Sequence, residues 1–500
     1  MKKYVYLCIC SLFSLTSYSQ AEFDVLRMSQ SDIMGTARYV SLSGAFNALG
    51  GDLSSISNNP AGIGIYRSSE LSISPVIKGD FTETVMDGGS PDATEIRKFG
   101  LNNLGFVSSF KTYEGSPVSN LNFGFTWNRV ADFNQTTLTY AFDRPVSLLD
   151  RIVQLENDNI PYQMHTSFFD YADGVHLIQS NSQGTAYETP LDLNETTNSS
   201  LLLEETGGIN LYNISLGGDF SHQFYFGGAL GIQNVHYERN SSYIEEYQLG
   251  GASELRNALK TTGAGIQFQL GMILRPDQNW RVGTSYYSGT AYYLTDVFQA
   301  SMASQGFTDP STGFDYTPDP VFVGSETTVD YIVQTPSKWT FGVAYLFGKN
   351  GLVSLDVDYL NNKNHTYKND NGFIIDEVND FFALDFAKTL NARLGAEWRV
   401  TEDFSLRAGG AYYGSPLVSG LEGLDIATPY VRPEFSMLRD TYYASYGVGY
   451  RSGPYYFDLA VQQKYVNENL FHFVDDSRYD DFAVVTRKKV NMVFSMGMKF

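Results

Sequence analysis

From Leu121 the chain alternates residue by residue: Leu121, Phe123, Phe125 and Trp127 fall on one face of an extended strand, and Asn122, Gly124, Thr126 and Asn128 on the other. Successive side chains of a strand point to opposite faces, so this period of two specifies a sheet with one apolar and one polar surface. The beat returns in Trp339, Phe341, Val343, Tyr345 and Phe347, turns at Gly348-Lys349-Asn350-Gly351 and resumes through Val353, Leu355, Val357 and Tyr359, which is a hairpin. Three more hairpins pair Ile266–Leu274 with Trp280–Tyr286, Leu390–Val400 with Phe404–Tyr412, and Ala444–Tyr450 with Phe457–Val461. Less regular pairs lie at Tyr212–Ser221 with Phe224–Tyr237 and at Leu104–Phe110 with Leu121 onward. An opening strand at Leu71–Ile77 and a closing one at Val490–Phe500 bring the expected count to fourteen.

The connections alternate as strictly as the side chains. Short turns join strands 2–3, 4–5, 6–7, 8–9, 10–11 and 12–13, the other connections are long, and the longest covers residues 142–207. An even-stranded antiparallel meander with one trimmed rim, one elaborated rim and an apolar stripe outside predicts an all-β fold, a 14-stranded transmembrane β-barrel over residues 70–500. Closing the sheet pairs every backbone N–H and C=O inside lipid, and each strand needs only ~9–11 residues to cross. Only half of a strand must then be apolar. That accounts for 43% hydrophobic residues beside 15% aromatic and only 18% charged ones. A large secreted all-β protein would also alternate, but it needs no such loop asymmetry. The last strand carries Val490, Met492, Phe494, Met496, Met498 and Phe500 on one face and ends the chain on an aromatic.

Residues 1–19 read as a signal peptide: Lys2 and Lys3, an apolar stretch from Tyr4 to Leu15, then Ser17-Tyr18-Ser19 before the cleavage point. Its removal takes the net charge from -21 to -23 and, with Cys8 and Cys10, every cysteine. Thiolate metal sites, thiol nucleophiles and disulfides are thereby excluded from the mature chain. Acidic residues outnumber Lys and Arg by 55 to 34, which argues against a nucleic-acid partner. No stretch after the N-terminus approaches the ~20 apolar residues of a spanning helix.

Residues 20–69 differ in texture, being rich in Gly, Ala, Ser and short apolar side chains. Tyr39, Leu42, Ala45, Phe46 and Leu49 recur at helical spacing, Gly50-Gly51 stops that helix, and Asp52 caps a second one ending at Asn59 before Pro60. The expectation is an N-terminal plug of short helices inside the barrel.

The run Gly50-Gly51-Asp52-Leu53-Ser54-Ser55-Ile56-Ser57-Asn58-Asn59-Pro60-Ala61-Gly62-Ile63-Gly64 resembles the N-terminal hatch of the FadL-type outer-membrane transport proteins, the long-chain fatty acid and toluene transporters, whose hatch carries Asn-Pro-Ala. Asn59, Pro60 and Ala61 match that motif residue for residue. Echoes follow in Thr335-Pro336-Ser337-Lys338-Trp339 and in Arg393–Arg399 with Leu406–Gly410. A C-terminal Phe on an alternating strand likewise resembles the signal by which bacterial barrels address their assembly machinery.

The resemblance implies passive uptake of hydrophobic compounds across the bacterial outer membrane. Capture between extracellular loops leads to a luminal pocket and a sideways exit beside a kinked third strand, with no cofactor and no catalysis. The expected hatch residues are Asp52, Asn59, Pro60, Ala61 and Gly62; Asn before Pro is also plain turn chemistry. The apolar phase slips at Asn128-Arg129, the candidates for the lateral gap, although Arg129 at an outer interface would also explain the slip. Arg393, Arg399 and Arg407 are candidate ligand-binding residues, or partners in ion pairs with Glu397 and hatch acids such as Asp52. Residues 146–160 suggest a short amphipathic helix, lining a capture groove or packing on the rim.

Catalysis finds little support: there is no Gly-x-Ser-x-Gly elbow, and the six histidines are scattered without metal spacing. Asp475, Asp476, Asp480 and Asp481 form an acidic run better read as solvated than as a calcium site. An adhesin or interaction barrel, and less so a barrel hydrolase, remain the alternatives. The expected partners are a hydrophobic small molecule, outer-membrane lipid and lipopolysaccharide, and the assembly machinery through Phe500, around a monomer.

Overall fold

The structure, a computed structural model, describes residues 21–500 apart from 87–88, 114, 146, 158–165, 182, 190–195, 249, 309–314, 317–320, 325, 419–433 and 473–481. The signal peptide and the acids Asp475, Asp476, Asp480 and Asp481 lie outside the described residues.

Fourteen antiparallel strands close into a ring. They are β1 Glu70–Val85, β2 Asp92–Lys111, β3 in two pieces (Val118–Asp132 and Gln135–Arg144), β4 Thr197–Phe220, β5 Phe224–Tyr247, β6 Ala252–Leu274 and β7 in two pieces (Trp280–Tyr287 and Ala291–Gln305). Next come β8 in two pieces (Thr327–Gln334 and Lys338–Leu346), β9 Gly351–Asn361, β10 Lys388–Arg399, β11 Phe404–Tyr413, β12 Phe435–Ser452, β13 Tyr455–Phe471 and β14 Ala483–Lys499. The seam of closure pairs β1 with β14, from Glu70↔Lys499 to Val85↔Val484. Below it the backbones of Ser69 and Phe500 exchange both hydrogen bonds, at 2.9 and 3.0 Å. No described helix is long and apolar enough to cross a membrane; the strands do so.

The membrane belt can be read from the outer face. Phe226 and Ile232 on β5, and Phe268, Leu270 and Met272 on β6, are exposed, whereas higher on the same face β5 presents Asn234, His236, Glu238 and Asn240. Large apolar side chains exposed in a continuous band belong against lipid. β4, β5 and β6 run for 24, 24 and 23 residues, far more than a crossing needs, so they stand above the bilayer as a tall wall. The sequence pattern underestimates these strands because polarity changes face at the bilayer surface. Beyond it Val235, Tyr237 and Tyr243 point inward and polar residues point out.

The wall is roofed from inside by helices α3 (Leu148–Asn157) and α4 (Thr166–Gly174). Leu148, Leu149 and Ile152 pack with Tyr171 and Val175 against Leu203, Tyr243, Leu255, Met302, Leu470 and Val485. The Glu245 carboxylate accepts from Ser147 Oγ at 2.6 Å and Leu148 N at 2.8 Å, covering the N-terminus of α3. The amphipathic face of that helix is thus buried in a cap.

The N-terminal segment lies within the ring. It contains α1 (Ala21–Ser29), α2 (Ala37–Ser41) and two 3-10 turns, Ser54–Ser57 and Pro60–Ile65. The expected helix through Leu49 is cut to one turn because Ser43 and Gly44 adopt φ of 50° and 74°, left-handed values that end a helix. Pro60 starts a turn, occupying its first position, where a missing N–H costs nothing.

Candidate functional site: the luminal chamber and the seam beside β3

Glycines on the inner wall let the backbone of the N-terminal segment approach. A Cβ at Gly227 would overlap Pro60, one at Gly271 would overlap Asn59 Oδ1, one at Gly283 would overlap Asn47, and one at Gly409 would overlap Leu42. Polar bonds fix the segment all round. Asn47 N donates to Asp356 at 2.8 Å, Asn122 Nδ2 to the Ile63 carbonyl at 2.6 Å, and Ala37 N to Ser495 Oγ at 2.7 Å.

Asn59 holds the motif together. Its Nδ2 donates to the Asn47 carbonyl at 2.7 Å and the Met272 carbonyl at 3.3 Å, while its Oδ1 accepts from Ala61 N at 3.0 Å. Gly62 N closes the turn on the Asn59 carbonyl at 2.9 Å, and Gly51 N reaches the Gly62 carbonyl at 3.2 Å. Asp52 accepts from Thr36 Oγ1 at 2.8 Å and Ser54 N at 2.9 Å. Burial pushes the Asp52 carboxyl up to about 6, against the pull of Arg38 and these bonds.

The three candidate arginines separate. Arg393 and Arg407 are buried inside the ring, whereas Arg399 is exposed at the turn between β10 and β11. Arg393 pairs with Asp358 at 2.6 Å; Arg407 pairs with Glu397 at 2.7 Å and Asp458 at 2.5 Å. Arg38 of the N-terminal segment reaches Glu397 at 2.8 Å. Their partners are therefore barrel acids, and Asp52 is bonded elsewhere.

Above the segment lies a chamber of about 250 Å³. Leu26 and residues 29–32 floor it, and Leu203, Leu470 and Val485 join it to the roof cluster. Seven cationic and six acidic side chains line it, among them Arg239, Lys338, Arg439, Lys464, Glu434 and Glu468, and none of the three candidate arginines does. These residues escape sequence reading because an inward charge on a strand looks the same whether it meets solvent, a partner or a cavity.

The wall is discontinuous beside the chamber. β2 pairs with β3 only from Lys111↔Asn120 to Asn103↔Asn128. Beyond that point Asp92–Leu101 pairs with β1 alone, and the second piece of β3 with β4 alone. At the break β3 slips register against β4 between Arg129 and Ala131. Arg129 stands opposite Asn210, donating to its Oδ1 at 3.1 Å and to the Gly207 carbonyl at 2.5 Å, and Asn128 Nδ2 donates to Ser57 Oγ at 2.8 Å. Side chains span the gap: Thr94 Oγ1 to the Thr136 carbonyl at 2.7 Å, Lys98 to Asn134 at 2.5 Å, and Lys78 to Asp132 at 2.5 Å.

No protein-family model matches the sequence, and no curated protein matches it. In structure the chain is similar to a FadL homologue of Pseudomonas aeruginosa, at 12% identity and a TM-score of 0.55 over 94% of this chain and 100% of that one. It is also similar to the toluene transporter TodX of P. putida, at 12% identity and a TM-score of 0.52 over 95% of this chain and 99% of that one. The ring of fourteen strands closed over a chamber and interrupted beside β3 thus has the fold of the FadL-type barrels.

Proposed function

We propose that the chain is a transport protein of the bacterial outer membrane that takes up hydrophobic compounds, long-chain fatty acids among them, by passive movement. The observation that carries this reading is the loss of pairing between β2 and the second piece of β3, directly beside the chamber. Unpaired strand edges are a liability that folds ordinarily cover, so a wall that keeps two of them has a use for the gap. Cargo is captured among the extracellular loops, held in the chamber and released sideways through the seam. An apolar molecule gains about 0.8 kcal/mol per methylene on leaving water, enough to drive the transfer without nucleotide. The motif Asn59-Pro60-Ala61-Gly62 keeps the floor closed beneath it. Export by a signal peptide, assembly through Phe500 and a monomeric state in lipid and lipopolysaccharide complete the reading.

Cross-linking the seam tests it. Thr94→Cys with Thr136→Cys places two thiols across the gap, and residues 20–500 contain no other cysteine. In cells lacking their own transporter, oleate uptake should fall on oxidation and recover on reduction. Unchanged uptake with the bridge formed would remove the lateral route.

A further inference from the structure

On the outside of the ring, just above the apolar belt, the outward side chains of β5, β6 and β7 form a trough of about 500 Å³. Strand register builds it. Tyr212, Ile232, Ile266 and Ala291 share the last apolar row. One step higher stand Asn234, Ala264 and Tyr293, and above them His236, Thr262 and Thr295. Gly263 and the short Ala264 leave the middle strand low, between Asn234 and His236 on one side and Tyr293, 50% exposed, on the other. Neighbouring strands lie about 4.8 Å apart, so the two walls stand about 10 Å from each other, with room between them for one sugar ring.

The two ends of the trough differ. Lys260 and Glu238, paired at 3.2 Å, close the upper one. The lower one runs onto Ile266, Phe268 and Leu270 of the belt, which are 46%, 60% and 62% exposed. An amphiphile of the outer leaflet therefore fits with its head in the trough and its chains lying down β6. The walls select the head. They offer an amide, an imidazole, hydroxyls and the ring of a tyrosine, groups that hydrogen-bond to and stack on a polyhydroxylated ring. A phosphate finds no spare cation there: Lys260 is held by Glu238, which also lies 3.6 Å from His236, and Thr295 donates to the further acid Asp330 at 2.5 Å.

Resting on the outer-membrane reading, we infer that this trough binds a sugar ring of lipopolysaccharide in the outer leaflet. The ring stacks on Tyr293, Asn234 and Thr262 hydrogen-bond its polar edge, and the acyl chains lie against β6.

The full chain in nanodiscs containing equal lipid A, galactosyl diacylglycerol and phosphatidylglycerol, released for native mass spectrometry, tests this. The galactolipid has the same two chains as phosphatidylglycerol, so any preference between them reads the head. Lipid A and the galactolipid should both be retained over phosphatidylglycerol. Tyr293→Ala, which removes one wall, and Ala264→Trp, which fills the floor, should each lower lipid A retention about tenfold. Both side chains face outward, and an unchanged folded band on a semi-native gel establishes that each variant folds. Phosphatidylglycerol held as strongly as lipid A would assign the site to a phosphate and overturn the proposal. Lipid A retained undiminished by both variants, or not retained by the native chain, would overturn it too. Oleate uptake and the seam cross-link judge the transport reading separately: normal uptake without retained lipid A strikes the trough alone.

Discussion

The backbone N–H of Asp32 donates to the carbonyl of Val130 at 2.8 Å. Val130 is the residue left out of the ladder where β3 slips against β4, so the N-terminal segment satisfies the group that the bulge orphans. The Asp32 side chain meanwhile pairs with Lys464 on β13 at 2.6 Å. Floor, seam and β13 thus meet at one residue.

Burial alone would raise the Asp32 carboxyl, but Lys464 and Lys489 outweigh it and hold it below the ordinary 3.8. A depressed carboxyl contributes stability above its unfolded value and loses it as pH falls through the folded one. Hydrogen exchange in the N-terminal segment, corrected for the intrinsic rate, should therefore rise below about pH 4 in the native chain. In Asp32→Ala it should already be high at pH 7 and show no such acid step.

Arg239 on β5 pairs with Glu434, which leads into β12. These strands stand seven places apart in a ring of fourteen, so the bond crosses the lumen. Removing one member strands a buried charge, and Glu434→Ala should cost about 3–5 kcal/mol. Arg239→Met with Glu434→Leu should cost much less. The temperature at which the folded band disappears on a semi-native gel measures both; equal losses would mean that the pair adds nothing beyond packing.

The fit between Gly271 and Asn59 predicts a rescue. Gly271→Ala drives a methyl into Asn59 Oδ1 and should destabilise the folded chain by about 1–3 kcal/mol. Gly228→Ala, whose Cβ would meet only ordinary contacts, should be tolerated. Asn59→Gly should recover part of the loss from Gly271→Ala in the same gel assay, while by itself leaving the Asn47 carbonyl short of a donor.

His365, in the loop above β9, is packed edge-on against Phe386 and Phe382 beside α5 (Asp376–Asp385). Burial lowers its imidazole to about 4, and the Nδ1 bond to the Asn362 carbonyl only partly opposes this. Its neutral form is native, so the contribution is whole above about pH 6.5 and drains away as pH falls toward 4. Hydrogen-exchange protection in α5, taken relative to the intrinsic rate, should fall over that window. His365→Phe, which cannot charge, should flatten the dependence.

The number of strands, their alternation and the trimmed rim were legible in the sequence because they are local. Leu121 and Trp127 declare their face by spacing alone, and lipid fixes which face is apolar. The same logic failed above the bilayer, where Val235 and Tyr237 point inward and the outer face becomes polar. It failed again at Ser43 and Gly44, where left-handed backbone interrupts a helical pattern that Leu42, Phe46 and Leu49 continue. Tertiary structure alone decided which charges meet: that Arg393 finds Asp358, that Arg239 finds Glu434 across the lumen, and that Arg399 finds neither. A strand's period tells whether a side chain points inward; the closure of the ring decides what stands opposite it.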